Sequence, residues 1–365
     1  MSRFIQLHLL TSYPPANLNR DDLGRPKTAI MGGAKRLRVS SQSLKRTWRT
    51  SSLFEEALGG HVGTRTKRIG KLVYDQLSEK GLADSVASAC AKKIAGVFGK
   101  LRNVEKGQTN EFEIEQLVHI GPDERQAIDA LVEVLAAEQR EPTDDELALL
   151  ALAPSAADIA LFGRMLASTP KFNVEAACQV AHAISVHAAE VEDDYFTAVD
   201  DLNLGDQDRG AAHIGEAGFG AGLFYSYVCV DRDQLVKNLG GQTELADRAI
   251  SALVEAAVKT SPKGKQNSFG SRAHASYVLT EIGDQQPRSL SVSFLRPVSG
   301  QDQSAEAISR LERQVAAFDA AYEAGADRRF VVCADPDYDE KASKLGSKVA
   351  IGSLAELIDF LKAGQ

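Results

Sequence analysis

The amino-acid sequence predicts an α+β protein with a ferredoxin-like sheet that is interrupted by insertions. Short apolar runs near both ends of the chain follow the order strand, helix, strand and then strand, helix, strand. A long helical stretch and a Gly- and acid-rich arm separate these runs. With 365 residues, of which 44% are hydrophobic and 25% charged, the chain can bury a sizeable core and form about two domains.

The amino-terminal part, residues 1–57, contains the first elements of the sheet. Residues 4–10 predict a strand, which the rigid turn around Pro14 and Pro15 ends. Residues 23–39 predict a basic loop, because Gly and Pro punctuate them without a sustained helical or strand period. Ser41 is the expected N-cap of a helix that runs to about residue 57.

The middle of the chain predicts helices and then an arm. Residues 58–169 form a helical insertion with runs at 82–98, 123–138 and 144–152, and residues 170–190 continue as a helix of the first subdomain. Residues 191–222 predict a projecting hairpin arm. Eight acids and no base lie between residues 190 and 208, and glycines punctuate the rest of the arm.

The carboxy-terminal part, residues 223–365, completes the predicted sheet. Its expected strands are residues 223–230, 277–282, 290–295 and 329–333, and its expected helices are residues 244–258, 304–322 and 354–361.

Composition narrows the possible surroundings and cofactors. The apolar run at residues 4–10 is too short and too polar for a signal sequence or a membrane span, so we expect a cytoplasmic protein without a membrane partner. The cysteines are far apart and have no ligand spacing, so they predict reduced core residues rather than disulfides or a metal site. They are Cys90, Cys178, Cys229 and Cys333. No cofactor is predicted.

Charge is distributed very unevenly along the chain. Residues 1–71 contain fourteen Lys and Arg and four acids, a net charge of +10, whereas the whole chain has −8 and the remainder therefore −18. A basic end on an acidic body suits a protein with one surface that faces a polyanion.

The most informative segment joins the basic loop to a hydroxyl-rich helix start. Free backbone N–H groups and the positive end of a helix dipole attract phosphate, and Ser hydroxyls donate hydrogen bonds to it. Such contacts carry no base information, so they suit a protein that holds single-stranded RNA of any sequence. The candidate residues are Lys35, Arg36, Arg38, Ser40, Ser41, Gln42, Ser43, Lys45, Arg46 and Arg49. Phe196 and Met165 are candidates for stacking or wedging between bases.

Two other interpretations stay open from the residues alone. The acids of the arm could hold Mg²⁺ in a metal-dependent RNA-processing nuclease. They are Glu190, Glu192, Asp193, Asp194, Asp200 and Asp201. A monomeric single-stranded RNA-binding protein would also use the basic segment, and it predicts one monomer per RNA at every RNA length.

Several motifs resemble a known family. They are Leu18-Asn19-Arg20-Asp21-Asp22, Gly32-Gly33, Arg38-Val39-Ser40-Ser41-Gln42-Ser43-Leu44-Lys45-Arg46, Phe196-Thr197-Ala198-Val199-Asp200-Asp201, and shorter patches at 158–165, 181–184, 238–241 and 265–266. Together they resemble the CasC family, the backbone subunits of the type I-E CRISPR Cascade surveillance complex. The resemblance spans residues 1 to about 300.

The resemblance implies an RNA-recognition-motif-like palm, inserted helical fingers and a projecting hairpin thumb. It also implies a non-catalytic protein whose copies form a filament along the CRISPR RNA, beside other Cascade subunits, with target DNA reached through the guide. By similarity, the RNA-backbone contacts are Arg20, Lys27, Ser40, Gln42, Lys45, Arg46 and Arg49, together with Lys265. Phe196 and Thr197 of the thumb, with Met165, would displace bases at regular intervals.

Overall fold

In the computed structural model, the described residues are 3–104, 108, 110–153, 155–198, 213–323, 325–346 and 349–362. They form two compact units. The first unit comprises residues 1–54, 180–229 and 253–365, and the second comprises residues 55–179 and 230–252. Among the helices of the described ranges, none is both long and apolar enough to cross a membrane.

The secondary structure is mixed. The strands are β1 (Phe4–Ala16), β2 (Thr28–Met31), β3 (Ala34–Val39), β4 (Thr64–Thr66), β5 (Val118–Ile120), β6 (Cys178–Val180), β7 (Ala183–Ser185), β8 (Glu192–Ala198), β9 (His213–Asp231), β10 (Tyr277–Gly283), β11 (Arg328–Cys333) and β12 (Val349–Ile351). The helices are α1 (Ser41–Arg49), α2 (Ser52–Leu58), α3 (Ile69–Glu79), α4 (Asp84–Phe98), α5 (Pro122–Glu138), α6 (Ala157–Phe162), α7 (Arg232–Asn238), α8 (Thr243–Lys259), α9 (Gln266–Phe269), α10 (Gln303–Tyr322) and α11 (Leu354–Lys362).

A large mixed sheet organises the first unit. Its strand order is β12-β11-β10-β1-β9-β7-β3-β2, so the first strand of the chain lies in the middle. Strand β1 pairs antiparallel with β10 from Phe4 opposite Gly283 to Leu10 opposite Tyr277. Strands β11 and β12 pair in parallel at one edge. The β2–β3 hairpin, which carries basic side chains, forms the other edge.

Strand β1 is buried along almost its whole length, including its polar residues Gln6 and His8. Each polar side chain has partners inside the sheet. The Gln6 Oε1 atom accepts hydrogen bonds from the Tyr227 hydroxyl and the Arg288 backbone N–H, both at 2.8 Å. His8 Nδ1 lies 2.9 Å from the Tyr225 hydroxyl. These partners let a central strand carry polar residues without leaving buried groups unsatisfied.

Glu281 on β10 is the centre of a buried charge cluster. Its carboxylate accepts from Arg288 Nη1 at 2.6 Å and from Arg329 Nε at 2.9 Å, and it lies 3.2 Å from His8 Nε2. Burial alone favours the neutral acid, but hydrogen bonds and charge from His8 and Arg288 outweigh it and hold the pKa of Glu281 well below its usual range. Burial also lowers the pKa of His8. The cluster is therefore an ionised carboxylate between two guanidinium groups.

The second unit is mainly helical. Its core packs α3, α4 and α5 around residues such as Ile94, Ile128 and Leu135, all of which are fully buried. The short strands β4 and β5 pair antiparallel beside these helices.

Most elements agree with the sequence-based expectations, but several do not. The predicted helix within residues 170–190 is wrong: β6 and β7 lie there instead. The expected basic loop at 23–39 contains the β2–β3 hairpin. No helix forms at residues 144–152, and the expected strand at 290–295 is a 3₁₀ turn at Ser291–Phe294. The N-cap of α1 is Ser40 rather than Ser41, and a break after Arg49 separates α1 from α2.

We predict that Glu281→Gln lowers the free energy of unfolding at pH 7 by about 3–5 kcal/mol, because the largely buried Arg288 and Arg329 lose the fully buried carboxylate they share and keep only Asp319 at the edge of the cluster. A carboxyl group with a depressed pKa contributes stability above its ordinary pKa, near 4.5, and loses that contribution as pH falls further. The difference between wild type and variant should therefore narrow below that pH in urea-unfolding measurements.

Glu306→Gln is the matched control, because Glu306 pairs with Arg310 on a partly exposed side of α10. We expect it to cost roughly 0.3–0.5 kcal/mol with little pH dependence. Equal losses for the two variants would contradict the role given to the buried cluster.

Candidate nucleic-acid interface

The start of α1 is capped by Ser40, a predicted RNA contact that is itself only 7% exposed. The Ser40 Oγ atom accepts a hydrogen bond from the Ser43 backbone N–H at 3.3 Å, which caps the helix. The Ser40 N–H in turn donates to Asn19 Oδ1 at 2.8 Å, so the preceding loop holds the cap. The first turn of α1 contains no acid, and its last turn contains Arg46 and Arg49. This helix start favours an anion.

A cleft of about 500 Å³ lies beside this helix in the first unit. It is lined by Leu18, Asn19, Arg20, Asp21, Asp22, Gly24, Ser43, Arg46, Thr47, Thr50, Lys263 and Gly264. Arg20, Arg46 and Lys263 supply three cations. Asp21 is occupied by its own loop, because its Oδ1 atom accepts from the backbone N–H groups of Leu23 and Arg25 at 3.0 and 2.9 Å.

The sequence-based prediction missed Lys263 and Asn19. Lys263 reaches the cleft because Gly264 passes very close to the end of β1: a Cβ atom on Gly264 would lie 2.3 Å from the Leu18 carbonyl oxygen. Lys263 Nζ then donates to the Thr50 carbonyl oxygen, 3.1 Å away, at the end of α1. In the sequence, the Lys263-Gly264 pair indicates a basic turn, but it does not show that this turn lies beside α1.

The β2–β3 hairpin adds further cations beside α1. Lys35 is exposed, whereas Lys27 and Arg38 are half-buried. The Arg38 Nη1 atom lies 2.7 Å from His182 Nδ1, and its Nε atom donates to the Thr28 carbonyl oxygen at 3.4 Å. Burial, together with the charges of Arg38 and Lys27, lowers the pKa of His182. A neutral imidazole can accept the guanidinium hydrogen bond and so help to orient Arg38.

Arg36 was predicted to bind RNA, and the structure contradicts this. Its side chain is fully buried, with Nη1 donating to the Ser185 carbonyl oxygen at 3.0 Å and Nη2 to the Phe294 carbonyl oxygen at 2.8 Å. Burial lowers the pKa of its guanidinium. Successive residues of a strand point to opposite faces, so Lys35 is exposed and Arg36 is buried. A run of basic residues in the sequence does not show which of them point inwards.

The remaining candidates on α1 share a surface location. Gln42 and Arg46 are exposed, and the half-buried members are Ser41, Ser43, Lys45 and Arg49. Lys265 is also half-buried and precedes the short helix α9, with a left-handed φ of 46°.

Phe196 and Thr197 lie on β8, which pairs antiparallel with β9. Phe196 is opposite Gly215, and a Cβ atom on Gly215 would lie 2.3 Å from the Phe196 ring. Glycine at this point therefore lets the aromatic ring lie across the neighbouring strand. The ring stays 43% exposed. Met165, in the second unit, is 81% exposed.

The acidic arm does not assemble a metal site in the part that the structure describes. Asp193 forms an ion pair with Arg25 at 2.8 Å. Within the described ranges, no group of three or more His, Cys, Asp or Glu side chains could hold a metal ion. Asp200 and Asp201, on which the nuclease hypothesis also rested, lie outside these ranges.

A family model described as CT1975-like protein matches residues 5–359, nearly the whole chain. The chain belongs to the CT1975-like family. No curated protein matches it.

The CT1975-like chain is also similar to chains in solved structures. One similar chain comes from a CRISPR RNA-guided surveillance complex described as pre-nicking. It is 29% identical, has a TM-score of 0.85, and the match covers 99% of this chain and 100% of that chain. A second comes from a CRISPR RNA-guided surveillance complex, with 26% identity, a TM-score of 0.74, and coverage of 99% and 100%.

Arg36 and Lys35 are neighbours on β3 of this CT1975-like protein, and we expect one to contribute to stability and the other to RNA binding. We predict that Arg36→Ala lowers the free energy of unfolding by roughly 2–6 kcal/mol, because two buried carbonyl groups lose their donor at about 1–3 kcal/mol each. Lys35→Ala should change stability by less than about 0.5 kcal/mol but weaken RNA binding.

Urea unfolding and filter binding to single-stranded RNA measure the two effects. A stable Arg36→Ala protein with reduced RNA affinity would reverse the assignment and make Arg36 a direct contact.

Proposed function

We propose that the protein is a non-catalytic backbone subunit of a CRISPR RNA-guided surveillance complex of the type I-E Cascade kind. Several copies would coat the spacer of the CRISPR RNA and present it for pairing with target DNA in antiviral defence. One observation carries this proposal: the 29% identical match to a surveillance-complex chain extends over the full length of both chains with a TM-score of 0.85. The complex would act in the cytoplasm, with other Cascade subunits as partners.

The sheet supports an RNA-recognition-motif-like, ferredoxin-like palm. When the other, inserted elements are set aside, the chain order is β1, α1, β7, β9, α8 and β10, which is the βαββαβ order. In the sheet, β9 separates β1 from β7, and β1 separates β9 from β10. This arrangement supports a split βαβ fold for the palm. We assign the helical residues 58–169 to the fingers and residues 191–222 to the thumb.

The RNA backbone would follow the cations around α1. The start of α1 presents N–H groups and hydroxyls, and the cleft adds Arg20, Arg46 and Lys263. Contacts of this kind hold phosphates and leave base edges free. That combination is what a guide holder needs, because every spacer sequence must bind and its bases must remain available for target DNA. The proposed set of contacts is Arg20, Lys27, Lys35, Arg38, Ser40, Ser41, Gln42, Ser43, Lys45, Arg46, Arg49, Lys263 and Lys265.

The thumb would fix the spacing between adjacent copies. The exposed ring of Phe196 and the neighbouring Thr197 lie on a strand of a hairpin, and Met165 adds a second exposed apolar side chain. An apolar side chain that enters between bases unstacks them, as wedge residues do in other nucleic-acid complexes. We propose that these residues displace guide bases at regular intervals, so that the displaced bases do not pair with target DNA.

We predict that Lys45→Ala/Arg46→Ala flattens the salt dependence of RNA affinity. Each phosphate contact on a single strand contributes about −0.7 to the slope of log affinity against log salt, so the loss of two contacts should reduce the slope by about 1.4. Titrations of a fluorescent single-stranded RNA at several salt concentrations measure the slope.

Lys92→Ala/Lys93→Ala is the matched control, because it also removes two adjacent cations from a helix, where they pair with Glu111 and Glu141. This control should keep the wild-type slope. If the Lys45 and Arg46 variant kept the wild-type slope, both residues would be removed from the proposed contacts.

A further inference from the structure

Met165 is exposed between two buried neighbours. Its side chain is 81% exposed, whereas Arg164 is 5% and Leu166 is 2% exposed. Helix α6 ends at Phe162, and its C-cap Gly163, two residues before Met165, has a φ of +81°. A Cβ atom added to Gly163 would lie 3.0 Å from the Val174 carbonyl oxygen. The chain needs glycine here in order to turn out of the helix.

Residues 164–174, which we call the Met165 loop, are closed at their base. The Arg164 N–H donates to the Val174 carbonyl oxygen and the Val174 N–H donates to the Arg164 carbonyl oxygen, both at 2.9 Å. Within the loop, the Leu166 N–H donates to Asn173 Oδ1 at 2.6 Å. The backbone on both sides of Met165 is therefore held by hydrogen bonds.

The Arg164 guanidinium ties this loop to the rest of the second unit. Its Nη1 atom donates to both carboxylate oxygens of Glu124, at 2.8 and 2.6 Å. Its Nη2 atom donates to the carbonyl oxygens of Ala151 and Phe172, at 3.3 and 3.2 Å. Because Phe172 belongs to the far side of the loop, one side chain fixes both of the loop's arms.

Glu124 is itself held rigidly. It lies in the first turn of α5, where its Oε2 atom accepts from the Gly121 N–H at 2.9 Å, and its Oε1 atom accepts from the Ala151 N–H at 3.0 Å. The side chains of Arg164 and Glu124 are almost completely buried. A buried, charge-assisted pair of this kind resists water and defines geometry as well as energy.

We propose that Arg164 and Glu124 are positioning residues that fix the direction in which Met165 projects. Methionine has three rotatable side-chain bonds and adapts readily to its surroundings. A fixed backbone restricts where its thioether can reach, which matters if Met165 must meet the guide at regular intervals. The consequence for bases rests on the proposed function, whereas the positioning itself is a property of the chain.

The test uses the full-length protein with isotope-labelled methionine methyl groups. The chain has only three methionines, so Met165→Leu assigns the signal. Arg164→Lys keeps the charge but loses the planar fork that contacts Glu124, Ala151 and Phe172 together. We expect the Met165 methyl resonance to shift and to change in line width, while the signal of Met31 stays in place.

Two further variants guard against a simple folding defect. Asn173→Ala removes the hydrogen bond from the Leu166 N–H, and it should shift the Met165 resonance in a protein with a near-native melting temperature. Arg232→Lys changes another nearly buried arginine of the same unit, which hydrogen-bonds to Asp247, and it should leave the Met165 resonance unchanged. An unchanged Met165 resonance in both Arg164→Lys and Asn173→Ala would overturn the positioning role.

A second readout distinguishes the positioning of Met165 from its proposed role in displacing bases. A synthetic single-stranded RNA that carries a fluorescent adenine analogue reports unstacking when the protein binds. If Met165 displaces bases, Met165→Ala and Arg164→Lys should both lose the fluorescence enhancement. If Met165→Ala keeps the enhancement while Arg164→Lys still shifts the methyl resonance, the base-displacing role fails and the positioning role stands.

Discussion

Arg36 donates from its buried guanidinium to the carbonyl oxygens of Ser185 and Phe294, with no carboxylate among these partners. These hydrogen bonds hold the β2–β3 hairpin against β7 and against the turn that contains Phe294. Gly32 reinforces the same attachment, because any side chain there would collide with the Leu295 carbonyl oxygen, 1.6 Å from an added Cβ atom. Strand β3 leads directly into the Ser40 cap, so the position of the proposed RNA surface depends on this buried contact.

Sequence patterns predicted the elements whose apolar pattern is sustained over many residues. Helices α4, α5, α8, α10 and α11 and strand β1 are confirmed, because their apolar periodicity or composition is sustained over enough residues. The errors fall where pairing with distant strands decides the structure. Strands β6 and β7 have three residues each. The alanines and histidines around them in residues 174–187 also fit a helical pattern, whereas pairing with β9 favours the strands.

The candidate site was predictable in part. Serines followed by basic residues, without acids, predict from local chemistry alone that the start of α1 binds an anion. The cleft beside it could not be predicted, because Arg20, Arg46 and Lys263 meet only through the fold. A basic run also does not reveal which members point inwards, and Arg36 was misassigned for this reason. The sequence also does not show that the polar residue His8 of β1 has partners on β9 and β10.

The basic part of the sequence and the proposed RNA contacts coincide. The chain has a net charge of −8, but its first 71 residues have +10, and the proposed contacts except Lys263 and Lys265 belong to them.

The most direct measurement is to sequence and size the nucleic acid that copurifies when the protein is expressed with a CRISPR array and its partner proteins. We expect uniform spacer-containing RNA in a particle with several copies of this chain. Mixed cellular RNA on a monomer, or no nucleic acid, would contradict the backbone role.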